Sequence, residues 1–128
     1  MYSIIADSRQ RRLTLTFSGE MDQDPAAFFE ELTSKVQRLR AAGDDWDLLT
    51  DFSDTPVMPQ DRAQNTVRIF AWFMDNGMRR GACVLQSVTQ RMQIARVTGR
   101  NDAVVFFDTL SKAESWLNNP AKTEPALG

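Results

Sequence analysis

Four short apolar runs, "LTLTF" at 13–17, "DLLTDF" at 47–52, "GACVL" at 81–85 and "AVVFF" at 103–107, are separated by segments whose apolar residues recur at helical spacing. A chain that alternates strand and helix in this way folds most readily as a sheet with helical crossovers, which makes its strands parallel. "LTLTF" alternates with period two, as a strand with one wetter face does, whereas "AVVFF" is continuous and suits burial on both sides. Ahead of them, Tyr2 to Ala6 is a further β-favouring run, and "DSRQRR" between it and Leu13 reads as the turn of a hairpin.

The helical segments carry their own punctuation. Asp24 before Pro25 suits an N-cap and first helical position, and Phe28, Leu32, Val36 and Leu39 then form one stripe that ends near Gly43. A second helix is predicted from about Pro59 to Asn76 with Gly77 as its stop. Ala63, Val67, Phe70, Ala71 and Met74 form the stripe expected to pack on the sheet. Ser87 is placed as the cap of a third helix bearing Val88, Met92 and Ala95 and ending near Gly99. A last helix holds Leu110, Ala113 and Leu117, and "SKAE" at 111–114 has the spacing of a capping box. The expected architecture is α/β: about five strands, mostly parallel with an antiparallel N-terminal pair, and about four helices. Residues 1–117 form one domain in this reading, and the polar, Pro-broken stretch 118–128 is a mobile tail.

Composition narrows the chemistry. With 128 residues the chain can bury a core without a metal or disulfide, and its formal charge of -2 gives nucleic acid no electrostatic reason to bind. The absence of histidine removes the commonest general base, the usual catalytic triad and most zinc sites. Cys83, the only cysteine, lies in an apolar run and reads as a buried structural thiol. No cofactor and no metal site are expected. The start "MYSIIADSRQRR" has no charged leader, and no stretch reaches the roughly 20 apolar residues of a membrane span, so a soluble, cytoplasmic protein is expected.

The paired strands ending "LTFSG", the strand "DLLTDFSD" with a Pro-containing turn before a long helix, "MRRGACVL" and the ending "VVFFDTLSKAESWL" resemble the SpoIIAA-like proteins of the STAS superfamily, also described as STAS/Sec14-like. The likeness covers about residues 2 to 117. It implies a STAS-like sheet and a regulatory protein-interaction module rather than an enzyme. In STAS proteins that antagonise anti-sigma factors, a phosphorylatable serine stands in an Asp-Ser-Ser-Gly motif at the start of the helix after this strand. Here Pro59, Gln60, Asp61 and Arg62 occupy the motif, with Asp61 at the phosphoserine position. No kinase-controlled switch is therefore carried over. Asp61 either complements the helix dipole or imitates part of a phosphoserine with a fixed charge, and Asp51 and Ser53 are turn-forming groups beside it.

Two surfaces stand out as candidates: a switch-region surface of Asp51, Ser53, Gln60, Asp61 and Arg62, and an apolar surface of Ile69, Trp72 and Phe73 on the far side of the second helix. The second would meet a homodimer mate, another protein, an acyl chain or a neighbouring helix. Charge is also uneven along the chain. Ten acids fall between Glu20 and Asp54, and seven arginines fall between Thr55 and Arg100; if folding keeps them on different faces they would orient self-association or docking, and solvated helix faces are the plainer reading. The leading expectation is a non-enzymatic module that binds a protein or itself. The alternative is a carrier of a lipid or other small apolar ligand, and an enzyme using Asp51 or Asp61 with Arg62 comes last.

Overall fold

The structure, a computed structural model, describes residues 2–18, 25–43, 45–54, 60–85, 87, 89, 91–92 and 103–118. Its first feature is the predicted hairpin, β1 (Tyr2–Asp7) against β2 (Arg12–Ser18), with Tyr2 opposite Phe17 and Asp7 opposite Arg12. Asp7 makes the turn: its Oδ1 accepts from the Arg9 and Gln10 amides at 3.0 and 3.2 Å. Arg11 closes it at φ 54, a left-handed conformation that costs a non-glycine residue energy and is held by its side chain. The Arg11 guanidinium reaches the Ala42 and Asp45 carbonyls and occupies the space that a Cβ at Gly43 would need, so a larger residue there would displace the Arg11 side chain.

β3 (Trp46–Asp54), β4 (Met78–Val84) and β5 (Val104–Phe107) then add in parallel, giving the order β1-β2-β3-β4-β5. The expected mixed sheet is present, and β3 is longer at both ends than its apolar run because Trp46 is buried and Ser18 pairs with Asp54. α1 (Pro25–Ala42) and α2 (Gln60–Asp75) lie on one face of this sheet and α3 (Leu110–Leu117) on the other. One-strand steps with right-handed crossovers place successive helices on the same face, as α1 and α2 are. α3 follows the last strand and is free to cross the opposite face.

Strand alternation sorts the core into two layers. Leu13, Leu15, Leu48 and Phe52 meet Phe28, Leu32 and Val36 of α1 and Phe70 and Phe73 of α2. Leu49, Ala82, Val84 and Phe107 meet Ala113, Trp116 and Leu117 of α3. Each large apolar side chain so buried contributes about 1.5–3 kcal/mol.

Three local expectations are corrected. Thr109, not the predicted capping box at Ser111–Glu114, caps α3: it is extended, and its Oγ1 accepts from the Lys112 amide at 3.2 Å. The helix starts directly after the strand, so the first hydroxyl with an extended backbone takes the cap. The sheet-facing stripe of α2 is also displaced. Phe70 and Phe73 face the sheet, while Ala71 and Met74 are exposed, Met74 to 44%. Trp46 sets that phase, because its ring meets Phe73 edge-on at 5.3 Å and its Nε1 donates to the Asn76 carbonyl at 2.9 Å. Gly77, at φ 102, ends the helix as predicted and accepts from the Trp46 amide. Finally, Phe73 is fully buried and belongs to the core, not to an outward surface.

Ser87 does begin a helical turn, its Oγ accepting from Thr89 and its carbonyl from Arg91. Asp24, Val88, Ala95, Gly99 and the tail from 119 lie outside the described residues.

Candidate functional site

The carboxyl ends of the parallel strands, where α/β sheets usually meet their ligands, form one corner of the molecule. β3 ends there as Asp51, Phe52, Ser53 and Asp54. Asp51 Oδ1 accepts from the Ser53 amide at 2.9 Å and from Ser53 Oγ at 2.5 Å, so carboxylate and hydroxyl lock the strand end before the chain turns towards α2. Asp51 and Ser53 are half-buried and Asp54 is exposed. The two predicted neighbours are thus brought together. Gln60, Asp61 and Arg62 form the first turn of α2, as the sequence implies, but their side chains lie outside the described ones, as do those of Ala63 and Val67.

Two further chain turns reach the same end. Ser87 opens the helical turn after β4, and Asp108 and Thr109 lead from β5 into α3. Asp108 pairs with Lys112 at 3.0 Å, and that bond, helped by the charges of Lys112 and Arg91, holds its carboxyl below the usual range. Beneath the corner lies Cys83, fully buried, whose thiol is pushed up by desolvation and then by the charge of Asp51, with Arg91 opposing. The neutral thiol is therefore strongly favoured there and is no nucleophile. Thr50 stands beside Cys83 in the β3–β4 register, and its enclosed Oγ1 has no hydrogen-bond partner among the described residues.

As chemistry, the corner is a hydrogen-bonded polar turn. Ser53 has a carboxylate acceptor, but a carboxylate is a weak base towards a hydroxyl, and no third group among the described residues completes a nucleophile. Among the described residues, no group of three or more His, Cys, Asp or Glu side chains is placed to hold a metal ion.

The apolar face expected on α2 is largely accounted for within the chain. Trp72 meets Phe29 of α1 at 5.1 Å with the rings 65° apart, and both Ile69 and Trp72 are half-buried against the core. The neighbouring helix is the partner of this face. Outward on α2 are Arg68, Ala71, Met74 and Asp75.

A charged cluster that the sequence reading missed lies at the opposite, amino end of β2, β3 and β4. Asp7, Arg12, Asp47 and Arg80 are cross-strand partners in one row on the α3 side of the sheet. Asp47, with its side chain only 5% exposed, accepts from Arg79 Nε and Nη2 at 3.2 Å each and from Arg80 Nη2 at 3.3 Å. Arg80 also donates to the Leu117 carbonyl at 2.7 Å, and its guanidinium lies 5.0 Å over the Trp116 ring, so the cluster clasps the end of α3. The available sequence signal was a charged residue at the inward position of each strand. The two charged segments are also not kept apart by the fold, because Asp45 and Asp47 of the acidic segment meet Arg79 and Arg80 of the basic one. Like-charged segments were separated in sequence, and parallel strand pairing brought opposite ends together.

No family model matches the chain, and no curated protein or solved structure matches it. No described helix is long and apolar enough to cross a membrane.

Proposed function

We propose that this chain is a non-enzymatic, STAS-like interaction module of the cytoplasm, lacking the phosphorylatable serine, that binds a protein partner or a second copy of itself at the β3–α2 corner. The binding surface comprises Asp51, Ser53 and Asp54, the first turn of α2 with Asp61, and the outward positions Arg68, Ala71 and Asp75. The observation that carries the reading is the Asp51–Ser53 lock. It presents a rigid polar strand end at the carboxyl edge of the sheet, with its hydroxyl and carboxylate satisfied by each other rather than aimed at a reacting atom.

The order of elements, with an antiparallel N-terminal pair followed by parallel strands, is compatible with the SpoIIAA-like resemblance. The alternative, a carrier of an apolar ligand, draws less support. The aromatic side chains that would line its cavity pack on one another, Phe17 on Phe52 at 5.0 Å and Trp46 on Phe73 at 5.3 Å.

The test is a binding titration against a partner isolated on the immobilised chain, with sedimentation to detect a dimer. Asp54→Lys and Arg68→Glu, both at exposed positions, weaken binding at least about tenfold and leave Tm unchanged. Unchanged affinity in both variants, or release of a stoichiometric acyl chain on solvent extraction, argues against the reading.

A further inference from the structure

Arg12 is a buried cation whose two nearest acids in the sheet are both engaged elsewhere. The residue is 8% exposed, and its strand neighbours in register are Asp7 and Asp47. Asp7 turns its carboxylate into the hairpin, where it accepts from the Arg9 and Gln10 amides. Asp47 is taken by Arg79 and Arg80. Among the described residues no carboxylate comes within ion-pair distance of Arg12. Its Nη2 donates at 2.8 Å to Oδ1 of Asn118, the residue that caps the end of α3, and its enclosed Nε has no acceptor among the described residues.

A buried guanidinium ordinarily has an anionic partner, because the field of a single neutral amide does not replace the water it gives up. The helix end offers only a partial negative charge of roughly half a unit, and Arg80 already uses the Leu117 carbonyl there. Among the described residues, Asp45 is shared by Arg11 and Arg79 and Asp47 by Arg79 and Arg80, so neither carboxylate is left for Arg12. We propose that Arg12, with Asn118, is a receptor for an oxyanion, a carboxylate or phosphate group. Two of its oxygens bond the Nε–Nη2 edge of the guanidinium, and the Asn118 carboxamide holds one of those places until the anion arrives. Asn118 is exposed, so its side chain can swing aside without disturbing the core. Planar, paired acceptance is the geometry that a guanidinium edge favours. The site is at the opposite end of the sheet from the β3–α2 corner and does not depend on that reading.

Thermal unfolding of the full chain, titrated with inorganic phosphate or acetate against chloride at constant ionic strength, tests it. Phosphate and acetate raise Tm progressively in the wild type, or in a Glu124→Gln variant if the chain fills the site itself, and Arg12→Gln abolishes the dependence. Asn118→Asp supplies a permanent carboxylate: it raises Tm by about 4 °C and removes the response to added anion. A purely structural Asn118 also gains an ion pair with Arg12 in this variant, so the discriminating readout is the response to added anion, which a structural role does not produce in the wild type or in Glu124→Gln. The source of the anion is read from Glu124→Gln, which removes the only acidic side chain that follows Asn118 in the sequence. If the added-anion response appears only in that variant, the chain supplies its own carboxylate. If it appears equally in the wild type, the anion comes from outside. No anion response in either the wild type or Glu124→Gln overturns the proposal.

Discussion

Replacing Asp47 by asparagine keeps the shape of the side chain and removes its charge, leaving the Arg80 side chain, only 12% exposed, without the carboxylate of its pair. Asp47 accepts three charge-assisted bonds, at 3.2, 3.2 and 3.3 Å. Removing one partner of a buried ion pair costs about 3–5 kcal/mol. The lower end applies here, because the Arg79 side chain is 52% exposed and water rescreens it once the pair is broken. About 3 kcal/mol is expected. An unfolding entropy of about 2.1 cal/mol/K per residue over 128 residues turns this into a fall in Tm of about 11 °C. Urea unfolding checks it: the midpoint drops while the slope stays at the wild-type value, because the surface exposed on unfolding is unchanged. Arg79→Gln, by contrast, costs less than about 1 kcal/mol. A loss below about 1 kcal/mol for Asp47→Asn, or equal losses for the two variants, would refute the view that Asp47 is the charged keystone at this end of the sheet.

Three other outcomes follow from the same packing. Phe73→Ala removes a fully buried ring from against Trp46 and lowers stability by about 3–5 kcal/mol in urea unfolding, whereas Ala71→Ser, on the exposed side of the helix, stays within about 0.5 kcal/mol. Thr50→Val replaces an enclosed hydroxyl that has no partner among the described residues by a methyl of similar size; thermal unfolding of the variant is expected at or above the wild-type Tm. Cys83, fully buried and with its thiol pushed up by desolvation, resists a disulfide reagent in native buffer and reacts at once in denaturant, and fast native labelling would show that the β4 packing is open.

Strand and helix order was legible because it rests on local periodicity. The "LTLTF" alternation, the helix start at Pro25 and the Gly77 stop each have a physical cause confined to a few residues. What escaped depended on partners distant in sequence. A helical wheel gives the spacing of the apolar residues of α2 but not which part of the apolar arc faces the sheet; Trp46, on β3, settles that by drawing Phe73 inward, and Phe29 of α1 then covers Trp72. The predicted apolar partner surface was therefore mostly an internal helix contact. Likewise, Arg12, Asp47 and Arg80 look like ordinary surface charges until strand register aligns them in one row. At the corner, Asp51 and Ser53 were legible as turn formers because their hydrogen bonds span only two residues.

The interaction surface is tested most directly by amide hydrogen exchange of the chain alone and in complex with its isolated partner. Binding at the β3–α2 corner predicts slowed exchange at Ser53, Asp54 and the outward side of α2 around Arg68, with β1 and α3 unchanged. Protection confined to β1 or α3, with the corner exchanging as in the free chain, would contradict it.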